Sequence, residues 1–239
     1  MQLINRKSLI FLGFMGISLG AIVSCSSNST NPNKMMNNPS NSPASSGINS
    51  SPSNLNSSPA MMGTPGSMNH SMMDLGPADV NYDLRFIDGM IVHHQGAVVM
   101  AQEAQQKSSR PEIKKLAADI ITAQQKEIAQ MKAWRTTWYP NAATTPMGYS
   151  SSMGHMMPMD QAQMNSMMMS GDLGAADNQF DLRFINKMIP HHEDALVMGK
   201  DALAKSTRPE IKQLGEAILS SQTGEIEQMK KWRKDWYNQ

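Results

Sequence analysis

The sequence predicts an all-α protein in which two αα-hairpin repeats form one antiparallel four-helix bundle. The first observation behind this prediction is an internal repeat: an offset of 98 keeps residues 79–139 in register with residues 177–237, and 33 of these 61 positions are identical. The second is the helical periodicity of apolar residues in each copy, and the third is a Pro-containing break near the middle of each copy. One hairpin cannot cover its own apolar face, so we expect the two copies to pair.

The first helix of each copy has a wide apolar face. In copy one, apolar residues at positions 84, 87, 91, 98 and 101 and at positions 86, 90, 97, 100 and 104 form two adjacent stripes. Such a face is typical of a helix that touches two neighbours. In copy two, Pro190 replaces Val92 of copy one, and we expect it to kink or loosen that helix.

A second helix follows the break in each copy. Ser109 and Glu112 have the spacing of a capping box with Pro111 in the first turn, and the arrangement returns at Thr207 and Glu210. One face of the second helix is apolar and has counterparts 98 residues later; its members are Ile113, Leu116, Ile120, Met131, Trp134 and Trp138. Helices of roughly 28 residues would be about 40 Å long.

The chain outside the repeats is predicted to have little structure. Residues 26–73 form a tether rich in Ser, Asn and Pro that becomes Met-rich at its end. Residues 141–171 form a Met- and His-rich linker between the first hairpin repeat, residues 74–140, and the second, residues 172–239. Such composition buries too little apolar surface to offset the entropy of ordering. We therefore predict disordered segments whose methionines have no core to fill.

Residues 1–25 are predicted to be a signal peptide. Arg6 and Lys7 precede an apolar run of about fifteen residues, shorter than the roughly 20 residues of an ordinary transmembrane helix. The run ends in IVSC, which resembles a bacterial lipobox in which Cys25 would be lipidated; the alternative is an ordinary secretory signal with a chance cysteine. We expect an exported, periplasmic protein that contacts a membrane only through such a lipid anchor.

Composition narrows the chemistry of the mature chain. Cys25 is the only cysteine, so disulfides and thiolate metal sites are excluded once the signal is removed. Lys and Arg total 21 against 20 Asp and Glu, so no global charge favours nucleic acid as a partner. The sequence contains no Ser/His/Asp triad, phosphate-binding Gly-rich loop or HExxH zinc motif, and we expect no enzymatic activity.

The repeated unit retains soft metal donors at helical spacing. Met90 and His94 lie one turn apart near the centre of the apolar face, and antiparallel packing places Met131 at a similar height. Thioether sulfur is soft and does not titrate, so it favours Cu(I), and by the same softness Ag(I), over hard cations. The candidate metal ligands are Met90, His93, His94, Met131, Met188, His191, His192 and Met229.

Further soft donors lie at the edge of the apolar face and outside the helices. Methionine supplies 24 of the 239 residues, and segments such as MGHMMPM place several thioethers and an imidazole within short reach, as a labile Cu(I) site would require. The candidate secondary ligands are Met100, Met198, Met68, His70, Met72, Met73, Met153, His155, Met156, Met157 and Met159. The alternative is that the methionine-rich segments arose by drift in a low-complexity sequence, or that their methionines are sacrificial targets for oxidants.

Ordinary structural roles compete with ligation. A buried methionine stabilises a core by about 1.5–3 kcal/mol, so methionine positions alone decide little. A buried imidazole without a partner costs about 1–3 kcal/mol, which favours ligation over a hydrogen-bonded core role for the histidines. Polar residues at the same height could orient the imidazoles. The alternatives are a polar network in the core, a helix face partly open to solvent or, for the glutamates, direct ligation. They are Gln124, Glu127, Gln222 and Glu225.

The paired FxxxMxxHH elements, residues 86–94 and 184–192, each followed by RPEIK, resemble an exported bacterial family of ferritin-like helical hairpins formerly of unknown function. With two units and Met-rich flanks, the chain is similar to the CopM-type family of periplasmic copper-binding proteins. The resemblance covers both repeats, about half of the chain. It implies a ferritin-like bundle that binds Cu(I) and Ag(I) in copper resistance. It also implies that the ligands are Met90, His93, His94, Met131 and their four counterparts.

The main hypothesis is therefore a non-catalytic Cu(I)- and Ag(I)-binding protein, a metallochaperone or sequestering protein in copper homeostasis, with copper-exporting or sensor proteins as partners. One alternative is a ferritin-like metal oxidase that uses His94, Glu127, His192 and Glu225 around a harder metal, although the Glu-x-x-His spacing of di-iron bundles is absent. The other alternative is a structural or interaction module.

Overall fold

The computed structural model describes residues 74–239, which form four long helices, a two-stranded hairpin and one short helix. The order is α1 Tyr82–Lys107, α2 Pro111–Trp138, β1 Met147–Ser150, β2 His155–Pro158, α3 Gln161–Met168, α4 Phe180–Lys205 and α5 Pro209–Tyr237. None of these helices combines the length and the apolar character needed to cross a bilayer. The predictions for the signal peptide, Cys25 and the tether concern residues 1–73, outside the described residues.

The four long helices form the predicted pair of αα-hairpins. α1 packs on α2, α4 packs on α5, and α1 lies against α4 at the centre. A first core joins the first half of α1 and the second half of α2 to the second half of α4 and the first half of α5. A second core joins the opposite halves of the same helices. α1 and α4 are therefore antiparallel, the repeats are related by a pseudo-two-fold axis, and the prediction of an all-α bundle is confirmed.

Reciprocal contacts at both ends of the bundle tie the repeats together. Arg110 pairs with Asp181 at 3.5 Å and lies 4.1 Å from the ring centre of Trp236. Arg208 makes the equivalent contacts to Asp83, at 3.3 Å, and to the ring of Trp138, at 4.1 Å. Each arginine immediately precedes the second helix of its own repeat and stacks on the last turn of the second helix of the other. Such cation–π contacts strengthen the pairing of the repeats.

The breaks between the paired helices are where the sequence predicts them, but their capping differs. α2 and α5 begin at the two prolines, and neither has a side-chain cap. Ser108 Oγ instead accepts a hydrogen bond of 3.1 Å from the backbone amide of Arg110, and Ser206 does the same for Arg208. The capping-box prediction is therefore wrong, because Arg110 and Arg208, rather than Ser109 and Thr207, occupy the N-cap positions. α4 continues through Pro190.

The linker is ordered, which contradicts the prediction of a disordered Met-rich segment. β1 and β2 form an antiparallel hairpin, and Asp160 and Gln163 make a full capping box at the start of α3. Both β1 and α3 pack on α1. Met159 and Met167 are each 5% exposed and belong to the first core. Met159 and Met167 thus do have a core to fill, because the flank of α1 gives them one.

A buried ion pair holds the linker on α1. The carboxylate of Asp88, 2% exposed, accepts hydrogen bonds from Arg135 Nε at 2.5 Å and Nη2 at 3.1 Å. It also accepts one of 2.9 Å from the backbone amide of Met147, the first residue of β1. Arg135 donates a further bond to the carbonyl of Ala143. One carboxylate on α1 therefore joins α2 and the linker hairpin.

Replacing Asp88 with alanine is expected to lower the free energy of unfolding by about 3 kcal/mol, because it leaves Arg135 and the Met147 amide without their shared acceptor. Chemical denaturation measures this change. The matched control is Asn186→Ala, since Asn186 is the counterpart of Asp88 and contacts Arg233 at 3.3 Å on the exposed surface. That control is expected to stay within about 0.5 kcal/mol of the parent. Equal losses in both variants would contradict the anchoring role.

Candidate metal centre

Four histidines meet where the two central helices cross the pseudo-two-fold axis. His93 and His94 of α1 and His191 and His192 of α4 are all fully buried. The His93 and His191 rings approach to 3.8 Å between centroids across the repeats. Within each repeat the adjacent rings are 6.3 Å and 6.2 Å apart. The imidazoles therefore form one continuous group in the order 94, 93, 191, 192, shared by both repeats.

The outer histidines are oriented by glutamates from the flanking helices. His94 Nε2 lies 2.7 Å from the carboxylate of Glu127 on α2, and His192 Nε2 lies 2.6 Å from that of Glu225 on α5. A carboxylate accepts, so each Nε2–H donates and the lone pair of the ring is on Nδ1. A ligating histidine commonly has this arrangement, in which the second nitrogen is held by a carboxylate. The glutamates lie where the sequence predicts orienting residues.

The inner histidines differ because the linker touches only one of them. His191 Nε2 lies 3.2 Å from the backbone carbonyl of Met168 at the end of α3, an acceptor that leaves the lone pair on Nδ1. Gly96 makes this approach possible, since a Cβ there would stand 1.7 Å from the same carbonyl oxygen. The counterpart of Gly96 in the second repeat is Asp194. The site is therefore asymmetric although its histidines are repeated.

Five buried ring nitrogens at this site have no hydrogen-bond partner within residues 74–239. They are Nδ1 and Nε2 of His93 and Nδ1 of His94, His191 and His192. The side-chain oxygens of Gln124 and Gln222 are likewise buried and unpartnered in that part of the chain. An unsatisfied buried polar group costs about 1–3 kcal/mol, so such a concentration in one place indicates donors kept for a ligand.

Burial keeps the inner imidazoles neutral. The pKa of His93 is lowered well below its ordinary value by desolvation, and further by the neighbouring imidazole of His191. The pKa of His191 is lowered in the same way, by desolvation first and then by His192. A neutral imidazole has a free lone pair, which is the form that binds metals. The inner pair is therefore ready to ligate over the whole neutral range.

The predicted methionine ligands are buried on either side of the histidines. Met90 and Met131 are fully buried in the first core, and Met188 and Met229 are fully buried in the second. The two edge methionines lie in the opposite arrangement. Met198 of repeat two lies in the first core, and Met100 of repeat one lies in the second. Met90 and Met131 of the first hairpin share one core and Met188 and Met229 of the second share the other, whereas each edge methionine lies in the core of the other pair.

The secondary candidates in the linker are separated from one another. Met153 lies in the hairpin turn and is 64% exposed, while the nearby exposed His155 places Nδ1 3.1 Å from the Met153 carbonyl. Met156 and Met157 are half-buried neighbours on β2, where successive side chains point to opposite faces. Met159 alone of this set is buried in the first core. Met68, His70, Met72 and Met73 lie outside the described residues.

A groove between α2 and α5 gives a route toward the histidines. It has a volume of about 700 Å³ and is lined by Ala123, Lys126, Glu127 and Gln130 on one side and Glu210, Gln213, Leu214 and Ala217 on the other. Glu127 thus faces the groove and also contacts His94. An ion that entered the groove would meet a carboxylate before it met the imidazole.

Carboxylate-rich ligation of a hard metal lacks a matching cluster. Within residues 74–239, no group of three or more His, Cys, Asp or Glu side chains is placed to hold a metal ion. The four residues of the oxidase alternative form two separate pairs, His94 with Glu127 and His192 with Glu225.

Three contributions are not apparent from the sequence. Met167 reaches the first core, the Met168 carbonyl contacts His191, and Gly96 gives that carbonyl room. The capping-box spacing of Asp160 and Gln163 marks α3 in the sequence, but no local signal shows where α3 docks. α3 docks where α1 has glycine, and only the folded structure shows that α3 lies against these positions.

Known proteins are similar to this chain over most of the region that holds the two repeats. The model of a domain of unknown function, DUF305, matches residues 83–233. The structure of CopM in the Cu(II)-bound form is 39% identical, with a TM-score of 0.53, over 65% of this chain and 97% of that chain. CopM in the Ag-bound form prepared by soaking is 37% identical, with a TM-score of 0.51 and the same coverage.

A viral relative matches a shorter stretch. The uncharacterized protein L153 of Acanthamoeba polyphaga mimivirus is 41% identical over 51 residues, which are 21% of this chain and 34% of that protein. The match thus spans about a third of the length of that protein. The DUF305 match covers more than half of the chain, and CopM is matched over nearly its full length. The chain therefore belongs to the DUF305 family, and it is of the CopM type.

Proposed function

We propose that this protein binds Cu(I) and Ag(I) as cargo and serves outside the cytoplasm as a carrier or a store of copper. The observation that supports this most is the group of five imidazole nitrogens that are buried and without a partner within residues 74–239, together with the fully buried methionines of the same helices. Imidazole and thioether together suit a soft monovalent ion. CopM, which shares the fold, has structures in Cu(I)-, Cu(II)- and Ag-bound forms.

Each residue has a defined role in this proposal. His94 and His192 each bind an ion through Nδ1, because their Nε2–H groups are held by Glu127 and Glu225. His93 supplies either ring nitrogen and His191 supplies Nδ1. Met90, Met131, Met188 and Met229 supply the thioethers. The ion is carried and released unchanged, so the role requires no catalytic residue.

Isothermal titration of the full chain with Cu(I) under reducing conditions tests the proposal. We expect binding tighter than micromolar, retained when Zn(II) or Mn(II) is present in excess, because hard and borderline ions gain little from thioethers. Failure to bind Cu(I) more tightly than micromolar would end the proposal. Iron or manganese in protein purified from its host, together with oxygen consumption, would favour the oxidase instead.

The glutamates allow a sharper prediction about orientation. We expect E127Q/E225Q to weaken Cu(I) binding by about 10–100-fold, as is common when the partner of a ligating histidine is replaced. The glutamine keeps the size of the side chain but removes the charge that favours the Nδ1 lone pair. Competition with a chromophoric Cu(I) chelator measures the affinity.

A matched control separates orientation from general loss of acidic charge. Glu103 and Glu193 are glutamates on α1 and α4 whose carboxylates pair with Lys107 and Lys230 rather than with a histidine ring, although Glu193 directly follows His192. We expect E103Q/E193Q to bind Cu(I) as the parent does. If both double variants lost the same affinity, the effect would be one of net charge and the orienting role would be refuted.

A further inference from the structure

We propose that the linker completes a second soft-metal site, made of the thioethers of Met159, Met167 and Met198, on the flank of the bundle. The inference rests on the proposed function, because it assigns the same class of cargo, Cu(I) or Ag(I). It differs in place and chemistry, since it contains no imidazole. Two of its three donors come from the linker, so the site exists only when the linker is packed on α1.

Gly89 is the point on α1 where these methionines converge. Because Gly89 has no side chain, Met167 Sδ comes within 3.3 Å, and the terminal Cε of Met198 within 3.4 Å, of the position that a Cβ would occupy. A methionine from the linker and one from α4 therefore meet over one backbone position of α1. Both are buried, at 5% and 0% exposure.

A cavity adjoins this point, because Leu75 and Met167 lie beside Gly89 and also line the cavity. It has a volume of about 200 Å³ and lies between the linker and the start of the described chain. Met159 and Met167 both line it, together with polar residues that include Asp74 and Gln163. A cavity of this size admits several water molecules, so a hydrated ion can reach the sulfurs and exchange its water for thioethers.

The opposite flank of the bundle lacks these features. The counterpart of Gly89 is Lys187, whose Nζ stands 2.5 Å from the position of a Cβ on Gly171. An ammonium group at this point repels a metal cation. The pseudo-two-fold axis therefore does not repeat the thioether site, and one such site per chain is expected.

Packing alone does not require methionine at these positions. The first core contains or contacts eight methionines, while the second core, built from the opposite, symmetry-related halves of the same helices, contains three. Leucine or isoleucine would fill an apolar space as well and would define it more rigidly. The excess is confined to the linker, where methionine offers a soft donor that leucine lacks.

Counting bound Ag(I) on the full chain by native mass spectrometry tests the inference. Ag(I) needs no reductant, and leucine conserves the volume of methionine in a core. We expect M159L/M167L to bind one Ag(I) fewer than the parent. The matched control is M153L/M157L, which removes two linker methionines outside the first core and is expected to bind the parental number. An unchanged number and affinity in M159L/M167L would make these methionines core fillers and overturn the inference.

A variant with all four paired histidines replaced by alanine separates the two sites. We expect it to lose the central ions and to keep one Ag(I) with sulfur-only scattering in X-ray absorption, and that ion should disappear when M159L/M167L is added. If the parent bound no Ag(I), the proposed function would fail together with this inference. If the histidine variant bound none while the parent did, only this inference would fail. The single variant M167L gives the same readout should the double variant be unstable.

Discussion

Alanine at His93, His94, His191 and His192 together is expected to weaken Cu(I) binding at the centre of the bundle by at least about 100-fold. The change removes all five unpartnered ring nitrogens at once. The buried thioethers that remain are neutral and bind the ion without the stronger imidazole donors. Because loss of an orienting partner alone commonly costs about 10–100-fold, loss of the ligands themselves is expected to cost more. Chelator competition with Cu(I) measures the affinity.

Controls must separate loss of ligands from loss of fold. H155A removes the exposed imidazole of the linker hairpin and is expected to bind as the parent does. Four truncations in the centre also leave cavities, which destabilise a core. H94Q/H192Q is the gentler variant, because glutamine fills part of the space and can donate to Glu127 and Glu225. If H94Q/H192Q stayed helical and kept the parental affinity, the outer histidines would not be ligands.

The position of the histidines could be predicted because it follows from helical periodicity. Met90 and His94 are four residues apart, so they share a face in any helix that includes both. The Pro-containing breaks fix the hairpins, and the repeat requires the hairpins to pair. These arguments need only the spacing of residues along the chain. The bundle and the central position of the histidines could therefore be predicted from the sequence.

The placement of Met100 and Met198 in the two cores could not be predicted in the same way. Reading each repeat as a unit places both residues at the edge of their own donor set. In the bundle, α1 and α4 are antiparallel, so the second half of one lies beside the first half of the other. Which repeat supplies a given donor depends on this pairing, and no spacing within a repeat encodes it.

The ordered structure of the linker depends on residues of α1, which lie outside the linker sequence. The segment is polar and Met-rich, a composition typical of disorder. Its docking depends on Asp88, Gly89 and Gly96 on α1, where one carboxylate holds β1 and two missing side chains admit α3. The second repeat has Asn186, Lys187 and Asp194 at these positions. These differences between otherwise similar copies therefore mark the flank of the bundle that the linker covers.

Acid is expected to destabilise the metal-free protein steeply below about pH 6.5. His93 and His191 have lowered pKa values in the folded state because they are buried, whereas in the unfolded chain they titrate near 6.5. Below that pH the unfolded state binds protons that the folded state does not, so the free energy of unfolding falls as the pH falls. Two such histidines contribute up to about 2.7 kcal/mol per pH unit, until the pH reaches their lowered folded values.

Denaturation of the metal-free chain at several pH values between 6.5 and 5 measures this slope. The pKa values of Asp79, Asp172 and Asp177 are lowered from the ordinary value of an aspartate, about 3.9, so these carboxylates titrate below this window. We expect H93Q/H191Q to flatten the dependence, because glutamine does not titrate, while H155A should retain it. A parental slope that survived in H93Q/H191Q would show that other groups cause it. Bound Cu(I) should resist acid for the same reason, since neutral imidazoles at low pH keep their lone pairs for the ion rather than for protons.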